Sequence, residues 1–115
     1  MKDNIVVSKS FAFSVSIIRL YQSLIAEKKE FVLSKQLLRS GTSIGANIEE
    51  AVGGISKKEF TVKMGIAYKE ARETNYWLRL LHATDYLTNE QFKILQEKCE
   101  EILKILFSII NTSRK

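Results

Sequence analysis

Proline is absent from this chain, and cysteine, histidine and tryptophan each occur once in its 115 residues. With no proline and only five glycines, a loop-rich fold is disfavoured. The single thiol, Cys99, cannot close an internal disulfide, so neither a disulfide scaffold nor an oxidising compartment is implied. One imidazole, His82, furnishes no zinc set with that thiol and leaves no histidine for a Ser-His-Asp triad. Long apolar runs are missing too: nothing approaches the ~18 uninterrupted residues of a membrane span. The start, Met1-Lys2-Asp3-Asn4, carries an acid and leads only into Ile5-Val6-Val7, unlike a secretory signal. The expectation is a cytoplasmic protein that does not engage a membrane.

What is present favours a packed core. Hydrophobic residues make up 45% and charged residues 27% of a 13.2 kDa chain, the size of one domain spanning 1–115. The net charge of +5 and pI near 9.4 are compatible with an anionic partner, though ordinary proteins also reach them.

Apolar spacing is helical almost throughout, predicting helices over about 9–27, 34–53, 56–82 and 88–112. In the first, Phe13, Ile17, Leu20 and Leu24 form the seam, with Phe11, Ile18 and Ile25 beside it; Ser8 or Ser10 is the expected cap. The second begins at Ser34 and carries Leu37, Gly41, Ile44, Ile48 and Ala51 on one face, with a centre of small residues. An interior glycine costs up to ~1 kcal/mol relative to alanine, so Gly41 and Gly45 imply close approach by a neighbouring helix or another subunit. Gly53-Gly54 is expected to supply a left-handed stop. Ser56-Lys57-Lys58-Glu59 and Thr88-Asn89-Glu90-Gln91 have the pattern of capping boxes. The third seam runs Phe60, Met64, Ala67, Ala71, Thr74, Leu78 and Leu81, and the fourth runs Phe92, Leu95, Cys99, Ile102, Leu106 and Ile109. Short links then give an all-α, antiparallel up-down-up-down four-helix bundle, with Cys99 a small core residue.

Two apolar sets lie off these seams. Val62, Ile66, Trp77 and Leu80 either widen the core stripe or cover a contact between copies, and Ile94 and Ile105 again suggest an additional buried side. A homo-oligomer with Gly41, Gly45, Ile66, Trp77, Ile94 and Ile105 at its interface is expected.

Catalytic chemistry finds little support. The pairs Glu49-Glu50, Glu70 with Glu73, and Glu100-Glu101 read as solvated faces, because a di-metal bundle needs Glu-x-x-His pairs and residue 79 is Arg79. Gly41 and Gly45 follow no strand and no lysine completes a phosphate loop. No catalytic residue, metal or other cofactor is assigned, and the protein is expected not to be an enzyme. A basic constellation remains: Lys58, Lys69, Arg72 and Arg79 share a sector of the third helix, with Tyr68 and Tyr76 among or beside them. Cations neutralise phosphates and tyrosine rings stack on unpaired bases, so the sector is a candidate surface for RNA or DNA. Equally, its arginines could pair with Glu73 or with acids of a neighbouring chain.

The second and third helices also carry a resemblance. Gln36-Leu37-Leu38-Arg39, Ser43-Ile44-Gly45-Ala46-Asn47-Ile48-Glu49-Glu50, Ser56-Lys57-Lys58-Glu59-Phe60 and Ile66-Ala67 resemble the four-helix-bundle proteins encoded by intervening sequences of bacterial 23S ribosomal RNA genes, often labelled S23 ribosomal proteins. Ala51 departs from the pattern, since many members have glycine directly after the glutamate. The resemblance implies a helical bundle assembled as a homo-oligomer, a pentameric ring. The sequence is also similar to the accessory variability determinant of diversity-generating retroelements, a pentameric bundle that binds a reverse transcriptase and nucleic acid. That likeness adds a second expectation, a scaffold subunit docking such a protein partner. Arg39, Ser43, Asn47 and Glu50 are the family-pattern positions, and as polar residues they suit hydrogen bonds within the bundle or across a subunit contact.

Overall fold

A computed structural model describes residues 2–114 of the chain. Four helices, α1 (Lys2–Ala26), α2 (Leu33–Val52), α3 (Lys57–Ala83) and α4 (Asn89–Ser113), make up a body of 45 × 20 × 18 Å. Each helix packs on its neighbours in sequence and α1 closes on α4, the arrangement of an up-down-up-down bundle; among the described residues the backbones of the diagonal pairs stay more than 8 Å apart. The long axis follows from the sequence, because 27 residues of α3 at ~1.5 Å each span about 40 Å.

The seams read from spacing fill the core. Phe13, Ile17 and Leu24 of α1, Leu37, Ile44 and Ile48 of α2, Met64, Leu78 and Leu81 of α3, and Ile102 and Leu106 of α4 are essentially inaccessible to water. Burying such a side chain contributes about 1.5–3 kcal/mol. Helix α1 starts earlier than its serines suggested: it runs unbroken from Lys2 because Val6 is fully buried, which rewards an added turn. The Ser10 hydroxyl, instead of capping, donates to the Val7 carbonyl at 3.1 Å.

The small-residue face of α2 is filled from within the chain. A methyl group on Gly41 would lie 2.8 Å from Ile17 Cγ2 and 2.9 Å from Ile17 Cγ1, and one on Gly45 would lie 3.3 Å from Ser14 Oγ. Gly41 and Gly45, expected at a contact between copies, therefore let α1 approach α2. Both are buried in the isolated chain.

The links also differ in their chemistry. Helix α2 begins one residue before the expected Ser34; Ser34 is buried, and the Glu30 carboxylate accepts hydrogen bonds from Ser34 N (2.7 Å) and Val32 N (3.3 Å). The acid thereby serves the amide groups that a helix start leaves unpaired. Gly53 ends α2 at φ −82°, ψ −1°, and no described glycine has positive φ, so the stop is not left-handed. The left-handed positions are Lys29 (φ 55°) and Asp85 (φ 68°), in the other two links. Ser56 caps α3 by accepting from Glu59 N at 3.0 Å, while Thr88 and Gln91 form the full reciprocal box at α4.

The glycines of α2 and α3 should respond oppositely to alanine. At Gly41 the new methyl meets a β-branched side chain with no room to turn, and overpacking of about 1–3 kcal/mol outweighs the helix-propensity gain of at most ~1 kcal/mol. Gly65, inside α3, has nothing within 4 Å of that position. Urea denaturation followed by circular dichroism should show Gly41→Ala less stable and Gly65→Ala more stable, the latter by up to ~1 kcal/mol.

Candidate nucleic-acid interface

The polar surface of α3 divides into an acid edge beside α2 and a cation edge beside α4. On the acid edge, Arg39 of α2 pairs with both Glu70 (Nη1 to Oε2, 3.2 Å) and Glu73, and Trp77 Nε1 donates to the same Glu73 Oε2 at 3.0 Å. Lys63 Nζ lies 2.9 Å from Glu50 Oε1, and the hydrogen bond and charge of that carboxylate raise the lysine pKa. Inside the same seam the hydroxyls of Ser40 and Thr74 meet at 2.9 Å. On α2 itself Ser43 Oγ donates to the Arg39 carbonyl (2.6 Å) and Asn47 Nδ2 to the Ser43 carbonyl (2.8 Å). The four family-pattern positions thus act within the chain, with Arg39 and Glu50 holding α3 and Ser43 and Asn47 bonding along α2.

On the cation edge, Tyr68, Arg72, Asn75, Tyr76 and Arg79 of α3 line a groove of about 300 Å³ together with Leu103 of α4. Four of the six residues expected to meet nucleic acid are gathered here. The Arg79 guanidinium carbon stands 5.7 Å from the Tyr76 ring centroid, a cation–π contact, and Tyr76 meets the edge of Trp77 at 5.3 Å. Tyr76 is 48% exposed. Tyr68 is half-buried, tilted against Phe107 with centroids 6.2 Å apart, so it forms a braced wall. Lys58 and Lys69 are exposed but do not line the groove; Lys58 lies 14 residues before Arg72, about 21 Å along the axis. Among the described residues none of these four cations is in an ion pair.

Two groove residues were not foreseen. Asn75 follows Arg72 by three positions and so was within reach of the same helical phase, whereas Leu103 needs the register of α4 against α3. Asn75 Oδ1 accepts from Gln96 Nε2 over a long 3.4 Å.

The residues expected at an oligomer contact fall into separate places. Ile66 and Trp77 are half-buried on the α2 side of α3. Ile94 is 47% exposed and borders a hollow of about 320 Å³ with Arg19, Leu20 and Ser23 of α1, so it adds no buried side to the monomer. Ile105 is half-buried and packs on the core. Helix α1 adds an outward line, Phe11, Val15 and Ile18, of which Phe11 is 68% exposed.

The nucleophile and imidazole are both occupied. Cys99 is fully buried, its Sγ 3.3 Å from the Ala71 carbonyl, and burial pushes its thiol pKa up to about 12. His82 stacks on Phe92 (centroids 4.2 Å apart, 7° between planes) and its Nε2 lies 2.7 Å from Asn89 Oδ1, tying the end of α3 to the start of α4. Among the described residues no three His, Cys, Asp or Glu side chains gather as a metal site, and no helix is long and apolar enough to cross a membrane.

These features describe an all-α bundle whose second and third helices are joined by polar side chains and whose third helix presents arginine and tyrosine. The sequence profile of the 23S rRNA-intervening sequence proteins matches residues 2–108, and the chain belongs to that family. It is similar to the crystal structure of a protein of unknown function from the S23 ribosomal protein family of Bacteroides thetaiotaomicron. The two are 55% identical with a TM-score of 0.95, covering 96% of this chain and 99% of that one. No curated protein matches the sequence.

The Cys99 environment has a readable sign. Its ordinary pKa of 9.0 is raised in the folded state, so the stabilisation is present below pH 9 and is lost as pH rises from 9 toward 12. Lys63, raised from 10.5, acts in the same direction at still higher pH. Urea midpoints should fall above pH 9, less steeply in Cys99→Ala, and a disulfide reagent at pH 8 should label the thiol only after denaturation.

Proposed function

We propose that the protein is a non-enzymatic, cytoplasmic homo-oligomer that binds RNA or other nucleic acid through the cation edge of α3. The supporting observation is the groove in which Arg72 and Arg79 stand with Tyr68 and Tyr76 while Glu70 and Glu73 of the same helix are held by Arg39 of α2. The competing expectation, that these arginines pair with Glu73, loses support because Glu73 accepts from Arg39 and Trp77. The surplus of five positive charges favours the same partner.

Assembly is part of this reading. A cyclic ring joins two different faces of each subunit. The apolar sets lie on two such sides: Ile66 and Trp77 toward α2, and Ile94 between α1 and α4. A pentamer, which the family resemblance implies, would repeat the basic groove five times and add avidity. A second reading, a scaffold that docks a protein such as a reverse transcriptase, is favoured by the outward apolar line Phe11, Val15 and Ile18.

Fluorescence anisotropy with a structured RNA should show affinity falling steeply with salt, and Arg72→Gln or Arg79→Gln should each reduce the log–log slope by about 1. No binding at low salt refutes the nucleic-acid reading. Light scattering should give a multiple of 13.2 kDa that falls in Ile94→Glu, a substitution at a half-exposed position. A wild-type mass of one chain refutes assembly.

A further inference from the structure

Resting on the nucleic-acid reading above, we infer that the α3–α4 groove takes an unpaired nucleotide, so that the preferred ligand is single-stranded and not duplex. The shape of the site carries the first part. At about 300 Å³ the groove lies at the small end of the ~300–1,000 Å³ usual for ligand pockets, suited to one base with its sugar and phosphate. Leu103 brings α4 alongside, so α3 does not stand clear as a rod to enter a duplex groove. The major groove of an RNA duplex is in any case too deep and narrow for side chains to read.

The chemistry carries the second part. Tyr76 and Arg79 form two planar groups in contact, and bases stack on tyrosine rings and on guanidinium planes alike. Arg79 is held there by a ring and not by a carboxylate, so its N–H groups remain available to a phosphate. Arg72 and Arg79 are seven residues apart on one face, about 10 Å along the axis, and they bracket Asn75 and Tyr76. A strand whose phosphates rest on both cations lays the intervening base against the tyrosine and the asparagine. The Asn75 amide has donors beyond its long contact with Gln96, which suit the edge of an unpaired base. In a duplex that edge is already occupied.

The test compares a ten-nucleotide oligouridine RNA with a blunt RNA duplex of equal length at one salt concentration, using anisotropy and the emission of Trp77. Trp77 is the sole tryptophan and touches Tyr76, so a base stacked there perturbs its fluorescence. The expected result is roughly tenfold or greater preference for the single strand, a change in Trp77 emission with the single strand alone, and roughly tenfold weaker single-strand binding in Tyr76→Leu with the salt slope retained. Equal or tighter duplex binding, or single-strand binding that leaves Trp77 emission and the Tyr76→Leu affinity unchanged, overturns the nucleotide site while leaving a cationic surface for nucleic acid. Absence of binding by either probe at low salt overturns both. The emission readout needs no variant, so it decides the matter even if Tyr76→Leu fails to fold.

Discussion

Arg39 reaches from α2 to α3 and takes both Glu70 and Glu73, and the surface chemistry of the bundle follows from that choice. The Arg39 side chain is half exposed, so these pairs contribute little to stability, in the usual range of about 0–1 kcal/mol. Their consequence is one of placement. Lys69 lies four residues before Glu73 and would be its ordinary helical partner, yet the carboxylate is engaged across the helix seam and by Trp77. Acid is drawn to one edge of α3 and the other is left cationic. Glu50 with Lys63 extends the same seam, so α2 and α3 are joined by charge outside and by Ser40 with Thr74 inside.

Most of the fold was legible because helical spacing and burial obey one geometry. The Phe13–Leu24 and Met64–Leu81 seams are buried as their intervals require, and the Thr88 box forms as its residues require. Other features depend on contacts that spacing does not encode. Val6 draws α1 back to Lys2 because the core extends that far, and Glu30 serves the start of α2 because the link folds the acid back under it. Gly53-Gly54 has the composition of a left-handed stop, but that conformation is adopted by Lys29 and Asp85.

The candidate site was legible to the extent that it lies on one helix. Arg72, Arg79, Tyr68 and Tyr76 share a phase, and the groove unites them. Lys58 and Lys69 share the sector but not the groove: Lys58 is too far along the axis, and Lys69, one residue after Tyr68, is turned about 100° away from that wall. Leu103 belongs to another helix and was invisible. Gly41 and Gly45 show the converse limit: their need for close approach was readable, but whether the neighbour came from this chain or a second one was not, and Ile17 and Ser14 decide it.

Among the described residues, the closure of α1 on α4 is the one close backbone approach between helices that are not consecutive in the chain. The other close approaches belong to hairpins of adjacent helices, whose ends meet across a short link. Such a low contact order lets structure accrue locally, and only the last join incurs the entropy of closing a long loop. This topology places the protein among rapid folders, with the meeting of first and last helices the step most sensitive to how well the middle pair has already formed.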